Sequence, residues 1–295
     1  MNKIVEVIRK QFGDGDKKRD AGLVSPSDIV RYDDIAYAGT SEKLQTLDVY
    51  RPLGAQGALP VIVSVHGGAW VYGDKDVYQY YCMSLAQRGF AVVNFSYRLA
   101  PEWKYPSSFE DVTSVLSWMQ SNSKEYGFDL DNVFAVGDSA GAHMLGLYCA
   151  AIANKEFAKT CGFETAKDFS FKAIALNCGA YLIEDKGDAD MTSGLMGQYL
   201  PNGGTSDELA MVSLVNHLNS AFPPVFMMTC PGDFLCEQPS HIIPLLEENG
   251  VEFIYRHYGN KAKPLGHVFH CNIKLPEATL CNDEECAFFK SFLSQ

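Results

Sequence analysis

Short apolar runs punctuate the chain at residues 47–50, 61–65, 90–97, 133–136, 171–177, 225–229 and 253–258. The runs at 61–65, 90–95 and 225–229 are apolar almost throughout. Strands covered on both faces of a parallel sheet have this pattern. Between the runs the period becomes helical. Residues 78–88 stop at Gly89, a C-terminal helix signal. Residues 107–121 put Phe109, Val112, Val115, Leu116 and Met119 on one face. Residues 140–153 are apolar nearly all round, which predicts a buried helix. Residues 239–249 and 277–293 complete the set. Strands alternating with helices of this length predict βαβ units with right-handed crossovers. The expected class is α/β, with a mostly parallel central sheet flanked by helices.

Two stretches break the alternation. Residues 13–36 are polar, charged and glycine-containing. Residues 180–222 are too long for an ordinary connection. They carry Met191, Leu195, Met196, Tyr199 and Leu200 at helical spacing, a turn at 201–204, and a second short helix near 207–218. Residues 1–12 form an amphipathic helix, apolar at 4, 5, 7, 8 and 12. Neither a composition shift nor a repeat divides the sequence. It reads as a single domain, 1–295, with an N-terminal helix and arm over 1–45 and a candidate lid insertion at 180–222.

A chain of 295 residues can bury roughly three quarters of its unfolded surface, so it needs no metal or disulfide staple. Charge narrows the partners. Lys plus Arg is 24 against 36 Asp plus Glu, a net charge of −12. A nucleic-acid binder shows a basic stripe, and the longest basic run here is Lys17-Lys18-Arg19. Nucleic acid and anionic membrane are therefore not expected as partners. No window approaches 18 apolar residues, and the N-terminal helix is too interrupted by charge for a signal peptide. The nine cysteines are scattered, with no C-x-x-C pair. They read as reduced thiols, and the expected location is cytoplasmic.

The strongest chemical signal is Gly137-Asp138-Ser139-Ala140-Gly141, with a predicted strand before it and a buried helix after it. G-x-S-x-G in that context lifts a serine hydroxyl clear on a sharp strand-to-helix turn. The helix start beside Ser139 also turns amides toward developing negative charge. A second signal, His66-Gly67-Gly68-Ala69-Trp70, follows a predicted central strand. Small residues there let backbone N–H groups approach a tetrahedral oxygen. Gly68, Ala69 and Ala140 are the candidate donors, with Gly67 a further one. An acid and then a histidine should follow the nucleophile. Asp233 stands just past an apolar strand, where catalytic groups gather. Asp185, Asp188 and Asp190 lie in the polar insert and are less well placed. His241 falls in a helix and His257 in a strand. His267 and His270 share one loop, and Gly266, which lets the chain turn at 267, favours His267. His66 is expected to steady the oxyanion loop, and His143 to pack.

With these pieces in view, the chain resembles the α/β-hydrolase superfamily, and within it the hormone-sensitive-lipase-like carboxylesterases. The resemblance rests on residues 66–70, on Tyr97-Arg98-Leu99-Ala100-Pro101-Glu102, on 137–141, on Asp233-Phe234-Leu235 and on Gly266-His267-Val268-Phe269. It implies an α/β-hydrolase fold, with Ser139 as nucleophile, Asp233 as acid and His267 as base. Gly68, Ala69 and Ala140 fall on the oxyanion positions, and Arg98–Glu102 on a supporting stretch. Ala69 stands where the family usually has glycine, so its methyl should narrow the pocket. Ala142 stands where a further glycine is common.

The expected function is hydrolysis of short-chain carboxylic esters through an acyl-enzyme, with no cofactor and no metal. The partner is a small-molecule ester, and a homo-oligomer is left open. Two alternatives share the sequence. His-Gly-Gly-x-Trp also occurs in arylformamidase-like amidases, and a hydrolase fold can serve as a non-catalytic small-molecule receptor. The receptor reading sits poorly with three filled triad positions.

Overall fold

The computed structural model describes residues 3–187, 190–260, 262 and 264–293. Met1, Asn2 and Asp188 lie outside the described residues. Among the described residues eight strands form one sheet: β1 Ile29–Ala36, β2 Thr46–Pro52, β3 Leu59–Val65, β4 Ala91–Phe95, β5 Phe128–Asp138, β6 Ala173–Asn177, β7 Val225–Thr229 and β8 Phe253–His257. Their order across the sheet is β1-β2-β4-β3-β5-β6-β7-β8. β1–β2 and β2–β4 pair antiparallel; every other neighbour pair is parallel.

The helices are α1 Lys3–Asp20, α2 Lys75–Ala86, α3 Ser107–Ser121, α4 Ser123–Tyr126, α5 Ala140–Ala153, α6 Lys155–Ala158, α7 Met191–Tyr199, α8 Ser206–Val212, α9 Pro239–Glu248 and α10 Pro276–Ser291. The sheet divides the core in two. Ile62, Val92, Phe134 and Phe226 pack with α2 and α10 on one face. Their neighbours Val61, Val63, Val93, Ala135 and Val225 pack with α1, α3, α5, α9 and the insertion on the other. Adjacent strand residues face opposite ways, so β4, covered on both sides, is buried along its whole length.

Three sequence expectations need correction. The polar stretch 13–36 contains a strand, β1. It is an edge strand that is nowhere fully buried and is bulged between Tyr32 and Ile35, so it shows no apolar run. The first helix does not stop at Phe12 but continues through Gly13 and Gly15 to Asp20. Tertiary contacts hold it. Arg9 donates to the Val71 and Ala100 carbonyls and pairs with Glu102 at 2.6 Å. Arg19 donates to the Val77 carbonyl and pairs with Asp16 and Asp20. The second insert helix is Ser206–Val212, opened by a capping box between Thr205 and Glu208, and it ends before the expected 218.

Candidate active site

Three parallel strands end at one place. β5 runs straight into Ser139, which has φ 53° and ψ −118° before α5 begins. That backbone is strained for a residue with a Cβ. Close approach explains the flanking glycines. A Cβ on Gly137 would meet the Gly141 carbonyl at 2.6 Å, and one on Gly141 would meet the Val65 carbonyl at 2.1 Å. The Ser139 amide is tied to the Asn177 carbonyl at the end of β6 (2.9 Å).

After β3 the chain turns through Gly68 (φ 122°), Ala69 (φ 54°) and Trp70 (φ 61°). A Cβ on Gly68 would lie 2.0 Å from the Tyr72 carbonyl oxygen. The Gly67 amide donates to the Tyr78 hydroxyl (3.0 Å), so it is committed. Among the described residues, the amides of Gly68, Ala69 and Ala140 donate to no protein acceptor. His66 braces the turn: Nδ1 contacts the Gly67 carbonyl at 2.7 Å, and the ring stacks on Tyr97. His143 accepts from the Trp70 indole (3.1 Å) and contacts the Val212 carbonyl through Nε2 (2.8 Å). It thereby joins this loop to the insertion.

Asp233 follows β7. Its Oδ1 lies 2.6 Å from His267 Nδ1 and accepts the Leu235 amide, and its Oδ2 accepts the Thr229 hydroxyl (2.6 Å). Burial alone would raise its pKa. The bonds from His267, Thr229 and the Leu235 amide outweigh that and hold it below the ordinary carboxylate value. With Nδ1 facing Asp233, His267 has Nε2 left for the cavity. The positive φ that shapes this loop is at Val268 (51°), not at the expected Gly266. His270 is fully buried, and desolvation pushes its pKa down to about 3; unlike His267 it does not line the cavity. His241 and His257 are exposed. Asp190 caps α7 by accepting the Ser193 amide, and Asp185 accepts the Gly187 amide.

Ser139, His267, Asp138, Gly67 and Gly68 line a cavity of about 260 Å³. Its outer wall comes from Phe12, Asp16 and Arg19 of α1, together with Tyr72 and Phe234. Tyr72 meets Phe12 edge-to-face and donates to Asp16 (2.8 Å). The Phe234 ring lies 4.1 Å from the His267 ring. Ala69 is buried in the core and absent from this wall. The expected narrowing by its methyl is therefore not seen; Phe12, Tyr72 and Phe234 bound the cavity instead. On the other side of Phe234 the insertion and the start of α9 enclose a second cavity of about 380 Å³. Sequence reasoning missed Tyr78, whose hydroxyl bridges the Gly67 amide and the Asp138 carboxylate (2.7 Å). Burial raises the pKa of Asp138 to about 6.

Among the described residues, two sets of metal-type donors converge within 4.8 Å: Asp138, His270 and Cys271, and Cys178, Asp233 and His267. Hydrogen bonds join some members of each set. Asp138 accepts from Tyr78 and Cys271 Sγ contacts His270 Nε2; Asp233 and His267 hold each other. All nine cysteines are free, eight of them buried. No helix among the described residues is long and apolar enough to cross a membrane.

A mostly parallel sheet whose central strand delivers a strained serine is the architecture of the α/β-hydrolases, and the relatives of this chain are carboxylesterases. Residues 47–238 match the family described as BD-FAE, and the chain belongs to that family of serine hydrolases. Carboxylesterase NlhH of Mycobacterium tuberculosis is 30% identical over 69% of this chain and 65% of its own. Versiconal hemiacetal acetate esterase of Dothistroma septosporum is 27% identical over 79% of this chain and 73% of its own. This chain thus spans about two thirds to three quarters of those relatives. Among solved structures, esterase B of Lactobacillus rhamnosis superposes with a TM-score of 0.86 at 27% identity, covering 98% of this chain and 93% of that one. The same esterase inhibited by a C4-C4 tributyrin phosphonate gives 0.87.

Proposed function

We propose that the chain hydrolyses small carboxylic esters through an acyl-enzyme, with Ser139 as nucleophile, His267 as base and Asp233 as acid. The observation that carries this reading is the 2.6 Å His267–Asp233 bond beside a cavity walled by both His267 and Ser139. Nε2 of His267 takes the hydroxyl proton as Ser139 Oγ bonds to the ester carbonyl carbon. Asp233, ionised, holds the tautomer and stabilises the imidazolium. The amides of Gly68, Ala69 and Ala140 receive the oxyanion, since they have no other acceptor to give up. Collapse breaks the C–O bond to the alcohol, which leaves with the proton from His267. Water, deprotonated by the same nitrogen, then releases the acid and restores Ser139.

The acyl group is short in this reading. A cavity of about 260 Å³ lies below the range of drug-sized ligand pockets, and the rings of Phe12, Tyr72, Tyr78 and Phe234 bound it. The relatives fit: one is named for an acetate ester, and another was solved with a tributyrin phosphonate. In the same reading α1 and the insertion 180–222 form a cap over the site. The test is kcat/KM on p-nitrophenyl acetate, butyrate, octanoate and palmitate, with Ser139→Ala as reference. Acetate or butyrate should be preferred, and Ser139→Ala should lose fluorophosphonate labelling. A maximum at octanoate or longer overturns the short-chain reading. Negligible ester turnover beside efficient N-formylkynurenine cleavage replaces it with an amidase.

A further inference from the structure

α10 turns an apolar face to the sheet, with Ala278, Cys281, Cys286, Phe288 and Phe289 buried. Two polar side chains interrupt it. Asn282 is 1% exposed and Glu285 is 0% exposed. They are three residues apart, so they lie side by side on the helix. A buried carboxyl is costly unless hydrogen-bonded, and no step of the hydrolysis uses this one.

Each reaches a different part of the site. Glu285 Oε2 accepts from Asn177 Nδ2 at 2.6 Å. The carbonyl of that same Asn177 accepts the Ser139 amide at 2.9 Å. Asn282 Nδ2 donates to the carbonyl of His270 (3.1 Å), three residues beyond His267. A further contact closes the circuit. Glu285 Oε1 accepts the Tyr81 hydroxyl (3.2 Å), and the Tyr81 ring packs edge-on to His270 at 5.1 Å. The nucleophile turn and the base loop, distant in sequence, are thus both tied to one turn of one helix.

We propose that Glu285 is a positioning residue for the hydrolytic reaction, fixing Asn177 under Ser139, with Asn282 fixing the base loop from the same helix turn. The inference rests on the roles proposed above for Ser139 and His267. Strained backbone persists only where its surroundings over-determine it, and the Asn177 carbonyl is the acceptor that holds the Ser139 amide. Without Glu285, Asn177 Nδ2 is a buried donor with no acceptor, and the residue must turn to find one. Its carbonyl moves with it. A displacement of about 1 Å at a reacting group costs up to about 100-fold in rate.

The experiment compares Glu285→Leu, which removes both acceptors, with Glu285→Gln, which keeps an oxygen for Asn177 and a polar group for Tyr81. Steady-state kinetics on p-nitrophenyl acetate and the rate of fluorophosphonate labelling are measured on the full chain, corrected for folded fraction. Glu285→Leu should lower kcat and the labelling rate about tenfold or more, with KM changed less than about twofold. Glu285→Gln should restore both rates to within about threefold of wild type. Wild-type rates in folded Glu285→Leu overturn the proposal, as does a loss confined to KM or an equal loss in both variants. If Glu285→Leu does not fold, Glu285→Asp takes its place. It keeps the charge but draws the carboxyl back by one methylene, and it must slow kcat more than Glu285→Gln; the reverse ranking overturns the proposal. Ser139→Ala separates the two claims. Labelling that survives in Ser139→Ala refutes the nucleophile itself, whereas loss there beside wild-type Glu285→Leu refutes only the positioning role.

Discussion

Replacing Gly68 with alanine asks the turn proposed to hold the oxyanion to accept one methyl group. The new Cβ would lie 2.0 Å from the Tyr72 carbonyl oxygen and 2.6 Å from its carbon. Real Cβ contacts stay beyond 3.0 Å, so turn and carbonyl must separate by about 1 Å. No flexible side chain can absorb this, because the obstacle is backbone that also receives Arg9 through Val71. The φ of 122° is a second penalty, and strain of this kind costs on the order of 1–3 kcal/mol. The Gly68 and Ala69 amides move with the turn. Loss of one oxyanion donor lowers kcat by about 10²–10³, or about 3–4 kcal/mol of transition-state stabilisation. Gly68→Ala should therefore fold with a lowered Tm and lose kcat by that factor, with KM changed far less. Kinetics on p-nitrophenyl butyrate beside a circular-dichroism melt tests it. A folded variant with kcat within about threefold of wild type would remove Gly68 from the oxyanion site.

His267→Ala should match Ser139→Ala in severity, because the two act as a unit, while His270→Ala should cost far less activity; the opposite ranking in kcat would move the base to His270. Gly15→Ala should raise Tm by about 1–3 °C, since a Cβ there meets nothing within 4 Å and Ala gains about 0.5–1 kcal/mol over Gly in a helix. A melt that shows a lowered Tm would mean that α1 is not helical there. Burial raises the carboxyls of Asp138 to about 6 and Glu285 to about 7, so the folded state binds more protons than the unfolded one from the ordinary carboxylate range up to those values. Stability then falls as pH rises through that window, and the Tm of Glu285→Gln relative to wild type should climb between about pH 5 and pH 8; a constant difference refutes the raised carboxyl. The neutral histidines act in the opposite sense. Burial lowers His66 and His143 to about 4 and His270 to about 3, so their unfolded forms gain protons first and they should destabilise the fold progressively as pH drops below about 6.5. Melts from about pH 4 to 7 of His143→Gln, with a flatter acid limb expected than in wild type, check this.

What the sequence made legible was local. β3, β4 and β7 read as apolar runs because they are covered on both faces, and the serine turn was visible because its strand, glycines and helix are contiguous. Asp233 stood out by its place after a strand, and His267 by chain order and by Gly266 before it, although the positive φ of that loop is at Val268. β1 was hidden because an edge strand needs no apolar face; its Arg31 pairs with Asp33, and the amide of Asp34 donates to Asp48. α1 was cut short because Gly13-Asp14-Gly15 reads as a break, and only distant carbonyls at 71, 77 and 100 show why it continues. Tyr78 and Glu285 act across 60 and 108 residues, beyond any local pattern. A signal for Glu285 did exist: it is a carboxylate at helical spacing inside the stripe 278, 281, 288 and 289, all buried. A charge at such a position must have a partner, and the question of which one pointed inward.

The strain in this molecule is not spread evenly. Among the described residues, five of the seven non-glycine residues with positive φ are Ala69, Trp70, Ser139, Cys178 and Val268, and all five follow β3, β5, β6 or β8 at the site. Each such residue costs of order 1–3 kcal/mol and persists only if its neighbours leave no alternative. The sheet supplies those neighbours. Ser139 N–H is bonded to Asn177 in β6, Cys178 N–H to Met228 in β7, and the Trp70 carbonyl to the Ala100 amide. Parallel strands in register make this possible, because their C-terminal ends present successive turns side by side, each able to receive the amide of the next. An antiparallel sheet would send alternate ends away from the site. The same lateral bonds explain why Asn177, which has no reacting atom, is placed to matter. It is the junction where the Ser139 turn, the neighbouring strand and the buried carboxyl of α10 meet, which is the geometry on which the proposed positioning role rests.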